Sequence, residues 1–125
     1  MKTVLIVDDS AYMRALIKMA LTEQGFDVVG EAEEGAKALE LARSLKPDLI
    51  TLDNILPDMF GIEILQKLVS EKNEAKVIMI SAVGQDRIIN KVKKMGACGY
   101  IVKPFEPEVL IETVSQVKEQ AAMSA

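Results

Sequence analysis

The chain has 125 residues, of which 50% are hydrophobic, 4% are aromatic and 27% are charged, and its formal net charge is −4. This length and composition are typical of a globular chain with one aliphatic core, so we expect a single domain over residues 1–125. The negative charge argues against broad binding to nucleic acid, which requires clustered Lys and Arg side chains. We interpret Lys91, Lys93 and Lys94 as a solvated helix face.

The chain contains one cysteine and no histidine. Without histidine, it cannot form Ser-His-Asp or Cys-His nucleophile pairs, imidazole zinc sites or a phosphohistidine. Cys98 has no second cysteine for an internal disulfide, and we interpret it as a small buried residue beside a strand. Any chemistry must therefore use carboxylates, hydroxyls, amines or an oxygen-binding metal ion.

The N-terminal sequence lacks the features of a signal peptide, namely a charged segment, a long apolar segment and a cleavage site. No apolar run approaches the roughly 20 residues that a helix needs to span a bilayer. We therefore expect a cytoplasmic protein with no membrane partner.

Apolar runs and helical periodicities alternate five times along the chain. In chain order, the predicted strands cover residues 2–7, 26–32, 49–52, 77–80 and 99–102. Each is followed by apolar residues at helical spacing, at residues 13–21, 36–45, 62–69, 88–95 and 110–121. The helix ends carry recognisable signals, which are Asp9 or Ser10 as the first N-cap, Gly25 and Gly96 as stops, Lys46-Pro47 as a closing pair and Pro107 near the last start. We expect residues 123–125 to fray.

Five strand–helix pairs with short connections predict a parallel sheet, because parallel strands need crossover connections and these are right-handed. Helices then cover both faces, which gives an α/β, doubly wound, five-stranded sheet of the flavodoxin-like (βα)5 type. An eight-stranded barrel needs a longer chain. The glycine-rich motifs of Rossmann and P-loop nucleotide-binding folds are missing after the first strand.

The stretch at residues 49–57 reads Leu-Ile-Thr-Leu-Asp-Asn-Ile-Leu-Pro and runs from a buried strand into a loop. Its acid, Asp53, would lie at the carboxyl edge of the sheet, where open α/β folds place their chemistry. Taken alone, the stretch leaves two interpretations open, because Asp53 either caps a turn or belongs to a functional site.

Four predicted strands end in reactive side chains, which are Asp8 with Asp9, Asp53, Ser81, and Lys103. Because parallel strands end on one edge of a sheet, we expect these groups to meet around one crevice. Each residue alone has a structural explanation, as a helix cap, a turn hydroxyl or a solvated amine. Their joint position favours a functional site.

Three carboxylates within about 4 Å of one another would repel by roughly 4 kcal/mol per pair at an effective dielectric constant near 20. A hard divalent ion would compensate this repulsion, and Mg²⁺, for which Mn²⁺ would substitute, prefers such oxygen ligands. Lys103 supplies a further positive charge. The set suits phosphoryl transfer, with Asp53 as the candidate nucleophile and Ser81 as a donor to a phosphoryl oxygen.

Four short motifs follow the strand ends, namely Asp8-Asp9, Asp53 with Pro57 and Gly61, Ser81-Ala82, and Lys103-Pro104-Phe105. In this order and spacing, they resemble the receiver domains of two-component response regulators, and the stand-alone regulators of chemotaxis in particular. The resemblance covers almost the whole chain. By this resemblance, Asp53 would be the phosphorylated residue, Ser81 would be the switch hydroxyl, and Mg²⁺ would bind Asp8, Asp9, Asp53 and the backbone carbonyl of Ile55.

The resemblance also implies roles for residues beyond the acids. Lys103 would pair with the phosphoryl group, and Tyr100 would rotate between exposed and buried states. The Lys103–Pro104 peptide bond would be cis, which is plausible because proline follows. The output surface would include Lys91 and Lys94 on the fourth helix, the fifth strand near Tyr100, and the last helix.

The resemblance implies a regulator that signals by binding other proteins, since we expect no room after the last helix for a DNA-binding or catalytic output domain. A partner histidine kinase would donate the phosphoryl group, a flagellar motor switch component would be the target, and a phosphatase is a further partner. We expect a monomer that catalyses its own phosphorylation and dephosphorylation but is not a conventional enzyme. A phosphorelay intermediate, a Mg²⁺-dependent phosphatase with an aspartate nucleophile, and an unphosphorylated scaffold remain as alternatives.

Two apolar residues occupy positions that tune loss of the phosphoryl group in this family. Ile55 and Val83 lie two places after Asp53 and Ser81 respectively. Because neither side chain can orient an attacking water molecule, we expect slow self-dephosphorylation.

Overall fold

The computed structural model describes residues 1–124, and it describes side chains as far as Met123. The strands in this range are β1 (Thr3–Val7), β2 (Asp27–Ala32), β3 (Leu49–Asp53), β4 (Lys76–Ser81) and β5 (Gly99–Val102). The helices are α1 (Ala11–Glu23), α2 (Gly35–Leu45), α3 (Gly61–Ser70), α4 (Asp86–Lys94) and α5 (Pro107–Ser124). Because α5 continues through Met123 and Ser124, the fraying expected there is not observed, and Ala125 lies outside the described residues.

The strands form a parallel sheet in the order β2-β1-β3-β4-β5. From β1, the sheet extends in one direction to β2 and in the other to β3. The strand order therefore reverses direction between β1 and β3, and this creates a crevice between their carboxyl ends. Across the described part of the chain, five strands alternate with five helices, so the predicted doubly wound α/β fold is confirmed.

Two apolar clusters pack on opposite faces of the sheet, because successive side chains of a strand point to opposite faces. Leu5 and Val7 of β1 join the first cluster, where α2, α3 and α4 contribute Ala38, Leu39, Ala42, Ile64, Leu65, Leu68 and Val92. Val4 and Ile6 join the second, where α1 and α5 contribute Ile17, Ala20, Leu21, Leu110, Val114 and Val117. Among the helices that the structure describes, none has the length and apolar character needed to cross a membrane.

The ends of the helices explain how short connections suffice between elements. Ser10 is the N-cap of α1, and its Oγ accepts a hydrogen bond from the backbone N–H of Met13 at 3.1 Å. Gly25 and Gly96 have φ angles of +89° and +123°, a region that glycine adopts without strain. Both glycines therefore end their helices as predicted.

Three apolar residues are less buried than their position in the predicted pattern suggests. Leu45 and Val69, which helped to mark two helices, are 41% and 49% exposed. Leu45 is the last residue of α2 and covers Gly30 of the edge strand β2, so one side of it faces solvent. Cys98 was predicted to be buried and is only partly buried, because it precedes β5 at the other edge of the sheet.

Asp48 fixes the amino-terminal edge of the sheet. Its carboxylate accepts hydrogen bonds from the backbone N–H groups of Lys2 at 2.7 Å and Thr3 at 3.0 Å, and from the Thr3 hydroxyl at 3.2 Å. The backbone N–H groups of Thr3 and Lys2 lower the pKa of the Asp48 carboxyl from its ordinary value. Asp48 thereby joins the start of β1 to the start of β3.

Thr51 lies in the middle of β3 and is fully buried, and its hydroxyl has no hydrogen-bond partner among the described residues. We predict that Thr51→Val raises the free energy of unfolding by about 1 kcal/mol, because an unpaired buried hydroxyl costs at least that much. Urea unfolding followed by circular dichroism measures the change. Thr3→Val is the matched control and should lose stability, since the Thr3 hydroxyl contacts Asp48. A Thr51→Val variant less stable than the parent would contradict this account.

Candidate active site and metal centre

Three acidic residues meet where β1 and β3 end. Asp8 follows β1 and Asp53 is the last residue of β3, and both are buried, whereas Asp9 is exposed. The parallel register pairs Val7 with Leu52. Because the next residue of each strand is an acid, Asp8 and Asp53 lie side by side. One carboxylate oxygen from each of the three acids lies within 4.8 Å of the other two.

Lys103, directly after β5, supplies a counter-charge to this cluster. Its Nζ donates a hydrogen bond to Asp8 Oδ2 at 2.7 Å and lies 3.4 Å from Asp53 Oδ2. Its backbone N–H donates to the Ser81 carbonyl at 2.8 Å, and the Lys103–Pro104 peptide bond is cis. Burial lowers the pKa of Lys103, but the hydrogen bond to Asp8 and the charges of Asp53 and Asp8 outweigh burial and raise the pKa overall.

The Asp53 carboxyl is in an environment that disfavours its ionised form. Burial raises its pKa most, the Lys103 charge opposes this, the Asp8 charge adds to it, and the net shift is upward. In this cluster three carboxylates face one ammonium group, so negative charge is in excess. Mg²⁺ takes oxygen ligands and usually retains several waters. The residues present therefore fit a hard divalent cation.

Ser81 and Tyr100 both form hydrogen bonds with the backbone of Val83. Ser81 is the last residue of β4 and is buried, and it follows Ile80, the register partner of Asp53. The Ser81 Oγ accepts a hydrogen bond from the backbone N–H of Val83 at 3.2 Å. The hydroxyl of the partly buried Tyr100 donates to the carbonyl of the same Val83 at 2.5 Å. Val83 therefore lies between the acidic edge and the fifth strand.

Residues 54–60 join β3 to α3 and are called the β3–α3 loop. The Ile55 backbone N–H donates to Asp53 Oδ1 at 3.4 Å, whereas Ile55 as a whole is 56% exposed. Gly61, the first residue of α3, lies so close to the Asp53 carbonyl that a Cβ there would overlap it. Gly61 therefore permits the close approach of α3 to the end of β3. This role is additional to the turn that the sequence indicates.

Two residues predicted for the output surface lie on a helix that contributes no acid to the cluster. Lys91 and Lys94 are exposed on α4, and α4 contacts β5, the strand that carries Tyr100. The structure thus separates the predicted residues into an acidic site at the carboxyl edge and a basic face on α4.

Two residues that contact the elements around the acidic cluster, Arg14 and Asp58, were not predicted from the sequence. Arg14 Nη1 donates to the Asp8 carbonyl at 2.8 Å and its Nε pairs with Glu31 at 3.2 Å, so Arg14 joins the end of β1 to β2. Asp58 of the β3–α3 loop binds the N-terminus of α2. A basic residue one turn after Ser10 is a usable signal for Arg14, but the contact of Asp58 is long-range and leaves no local pattern.

Comparison with known proteins identifies the family. A model of the response regulator receiver domain matches residues 4–115. The chain is 41% identical to chemotaxis protein CheY of Thermotoga maritima over 118 residues, covering 94% of this chain and 98% of that protein. Identity to CheY of Bacillus subtilis is 42% over 113 residues, covering 90% and 94%. A solved chain from the CheX-CheY-BeF3-Mg²⁺ complex of Borrelia burgdorferi superimposes with a TM-score of 0.89 at 32% identity, covering 93% of this chain and 88% of that one. The chain therefore belongs to the response regulator receiver domain family.

Proposed function

We propose that this chain is a phosphorylation switch in which Asp53 accepts a phosphoryl group from the phosphohistidine of a partner kinase. The observation that carries the proposal is the position of Asp53, a buried carboxylate grouped with two further acids and close to Lys103. Membership of the receiver family supports phosphorylation-dependent signalling. The chain would work as a single domain over residues 1–125.

The acidic cluster would hold a divalent cation. Asp8, Asp9 and Asp53, with the backbone carbonyl of Ile55, are the proposed ligands. Bound there, Mg²⁺ would offset the negative charge of phosphoryl oxygens, and Mn²⁺, which accepts similar oxygen ligands, would serve in its place. The similar Borrelia burgdorferi structure is a complex that includes Mg²⁺, which supports this assignment.

The chemical step would be an in-line displacement at phosphorus. An oxygen of the ionised Asp53 carboxylate attacks, a P–O bond forms, and the P–N bond to the donor histidine breaks. The electron pair of that bond leaves with the imidazole nitrogen. Lys103, 3.4 Å from Asp53, would pair with a phosphoryl oxygen. Ser81 would donate its hydroxyl hydrogen to another oxygen, since a hydroxyl can donate while it accepts the bond from Val83.

The backbone of Val83 offers a route from the phosphorylated site to the output surface. A shift of Ser81 towards a phosphoryl oxygen would alter its hydrogen bond with the Val83 N–H, and the Val83 carbonyl holds the Tyr100 hydroxyl. Tyr100 would thereby favour one of two positions and bias the surface formed by α4, β5 and α5. Moving such an equilibrium from 1:99 to 99:1 requires about 5.5 kcal/mol, so a partial shift completed by partner binding is expected.

Chemotaxis is the proposed biological setting. The similar proteins from Thermotoga maritima and Bacillus subtilis are chemotaxis proteins, and the Borrelia burgdorferi structure pairs CheY with CheX. A histidine kinase would be the donor, a component of the flagellar motor switch would be the target, and a phosphatase is a further partner. The exposed Lys91 and Lys94 would belong to the docking surface for the target.

The alternatives differ in how well they agree with the site. A phosphorelay intermediate uses the same chemistry, so it remains the second candidate within the family. Aspartate-nucleophile phosphatases resemble a D-x-D arrangement on one strand, whereas here the paired acids follow β1 and Asp53 ends β3. Phosphatase relatives are not among the similar proteins described above, and that function is not supported.

Stoichiometric labelling tests the proposed function. Incubation with a small acyl or amido phosphate and Mg²⁺ should add one phosphoryl group per chain, measured by intact mass. Asp53→Ala and removal of the metal by a chelator should both abolish labelling, whereas Asp27→Ala, which changes an exposed acid of β2, should not. Multiple turnover on a phosphomonoester, or uptake of an acid-stable phosphate by Asp53→Ala, would contradict the proposal.

Removing Lys103 tests the charge compensation. We predict that Lys103→Met lowers the free energy of unfolding without metal by roughly 1–3 kcal/mol, because the buried Asp8 carboxylate loses its hydrogen-bonded counter-charge. Mg²⁺ should restore much of this loss, as measured by urea unfolding with and without the ion. The control is Arg43→Met, which breaks the exposed ion pair with Glu71. Its free energy of unfolding should fall by less, and Mg²⁺ should not specifically restore it. Equal responses of the two variants to Mg²⁺ would refute the proposed compensation.

Ile55 and Val83, the apolar residues two places after Asp53 and Ser81, predict a long-lived phosphorylated state. The double variant Ile55→Asn with Val83→Glu should shorten its half-life, because the new side chains can orient an attacking water. Loss of the labelled mass after removal of the phosphoryl donor measures the half-life. Ile55→Ala with Val83→Ala is the control, since it removes apolar bulk without adding a polar group. An unchanged half-life in the polar variant would show that these positions do not limit decay.

A further inference from the structure

The β3–α3 loop is attached to a helix that contributes no residue to the acidic cluster. Asp58 Oδ1 accepts a hydrogen bond from the backbone N–H of Gly35 at 2.7 Å, and Asp58 Oδ2 accepts one from Ala36 at 2.9 Å. These are the first two residues of α2. Within the described residues, Glu34, the N-cap residue of α2, makes no capping bond with its own side chain. An acid from a different loop therefore caps this helix.

Met59 makes a second contact with the same helical turn. Its side chain packs so closely on Gly35 that a Cβ at Gly35 would overlap the Met59 Cγ. The hydrogen bonds of Asp58 also lower the pKa of its carboxyl from the ordinary value, so the ionised form is the one that caps α2. One charged and one apolar contact thus fix the tip of the β3–α3 loop to α2.

The base of the β3–α3 loop is fixed to a different helix. The backbone N–H of Gly61 donates to the Asn54 carbonyl at 2.6 Å, and that of Ile62 donates to Asn54 Oδ1 at 3.2 Å. Ile55 and Phe60 face each other in a single antiparallel bridge across the loop. Ile55, whose carbonyl is a proposed metal ligand, therefore lies between a base held by α3 and a tip held by α2.

We infer that Asp58 is a positioning residue for the proposed Mg²⁺ site, because its bonds to α2 hold the loop that carries the Ile55 carbonyl. The inference rests on the proposed function, in which that carbonyl is a ligand. Ile55 and Phe60 are each 56% exposed, so their own side chains restrain them weakly, whereas Leu56 anchors the loop in the first apolar cluster. If the loop is already ordered before the ion binds, less conformational entropy is lost on binding and the affinity is higher. Residues that orient metal ligands typically change affinity by about 10–100-fold when they are replaced.

The direct test is a Mg²⁺ titration of the folded protein, followed by isothermal calorimetry or by amide chemical shifts. Asp58→Ala should weaken Mg²⁺ binding by about tenfold, the lower end of the range for such residues. Hydrogen exchange at the Gly35 and Ala36 amides should become faster in the same variant, which shows that the contact with α2 is lost. Asp58→Asn keeps one acceptor oxygen and should give an intermediate result, and it serves as the test if Asp58→Ala does not fold.

Two controls separate positioning from charge and from general stability. Glu34→Gln removes a negative charge beside the same helical turn but no side-chain capping bond seen in the described residues, so it should change Mg²⁺ affinity little. Asp48→Ala removes a carboxylate that likewise accepts two backbone N–H bonds, but at the amino-terminal edge of the sheet. It should lower the urea midpoint and leave Mg²⁺ affinity unchanged.

The outcomes distinguish failure of the inference from failure of the proposed metal site. If the parent protein and Asp53→Asn bind Mg²⁺ equally, the metal site is wrong and the role of Asp58 is wrong with it. If the parent binds more tightly than Asp53→Asn, but Asp58→Ala binds as tightly as the parent while the Gly35 and Ala36 amides exchange faster, the inference alone is overturned. A loss in Glu34→Gln as large as in Asp58→Ala would also overturn it, because charge alone would then explain the effect.

Discussion

The contact between Lys103 and the two buried acids is the interaction on which the rest of the site depends. Asp8 is almost fully buried, and the Lys103 ammonium at 2.7 Å is the counter-charge that makes its burial tolerable. The same ammonium lies 3.4 Å from Asp53, whose pKa is nevertheless raised. The cluster therefore keeps an excess of negative charge after Lys103 is counted, and this excess is what a divalent cation and a phosphoryl group with its own charges would rearrange.

Two sets of contacts lead away from this cluster. One passes through Ser81 and the backbone of Val83 to Tyr100, and so reaches the α4 and β5 side of the molecule. The other passes through the β3–α3 loop to α2, where Asp58 caps the helix. In our account the first transmits the modified state, whereas the second holds a proposed metal ligand in place. Both sets of contacts use the backbone of Val83 and Ile55 rather than their side chains. In our account, the two side chains therefore remain free to influence the lifetime of the phosphorylated state.

Much of the fold follows from local sequence, because each apolar run is short enough for a buried strand and each is followed by helical periodicity. The position of Asp53 also follows, since parallel strands deliver their carboxyl ends to one edge. Other features depend on long-range contacts that spacing does not encode. The hydroxyl of Thr51 is buried in an apolar strand without a partner among the described residues. Asp58 binds a helix that precedes it in the chain. Leu45 packs on an edge strand, so one side of its side chain remains exposed to solvent.

The central claim is that Asp53 itself becomes an acyl phosphate, and the position of the modified atom tests it most directly. Borohydride reduces an acyl phosphate of aspartate to homoserine, which peptide mass spectrometry locates within the sequence. After treatment with a small phosphoryl donor and Mg²⁺, our account predicts homoserine at position 53 and unmodified Asp8 and Asp9. Homoserine at position 8 or 9, or a borohydride-resistant phosphate on a hydroxyl such as that of Ser81, would contradict it.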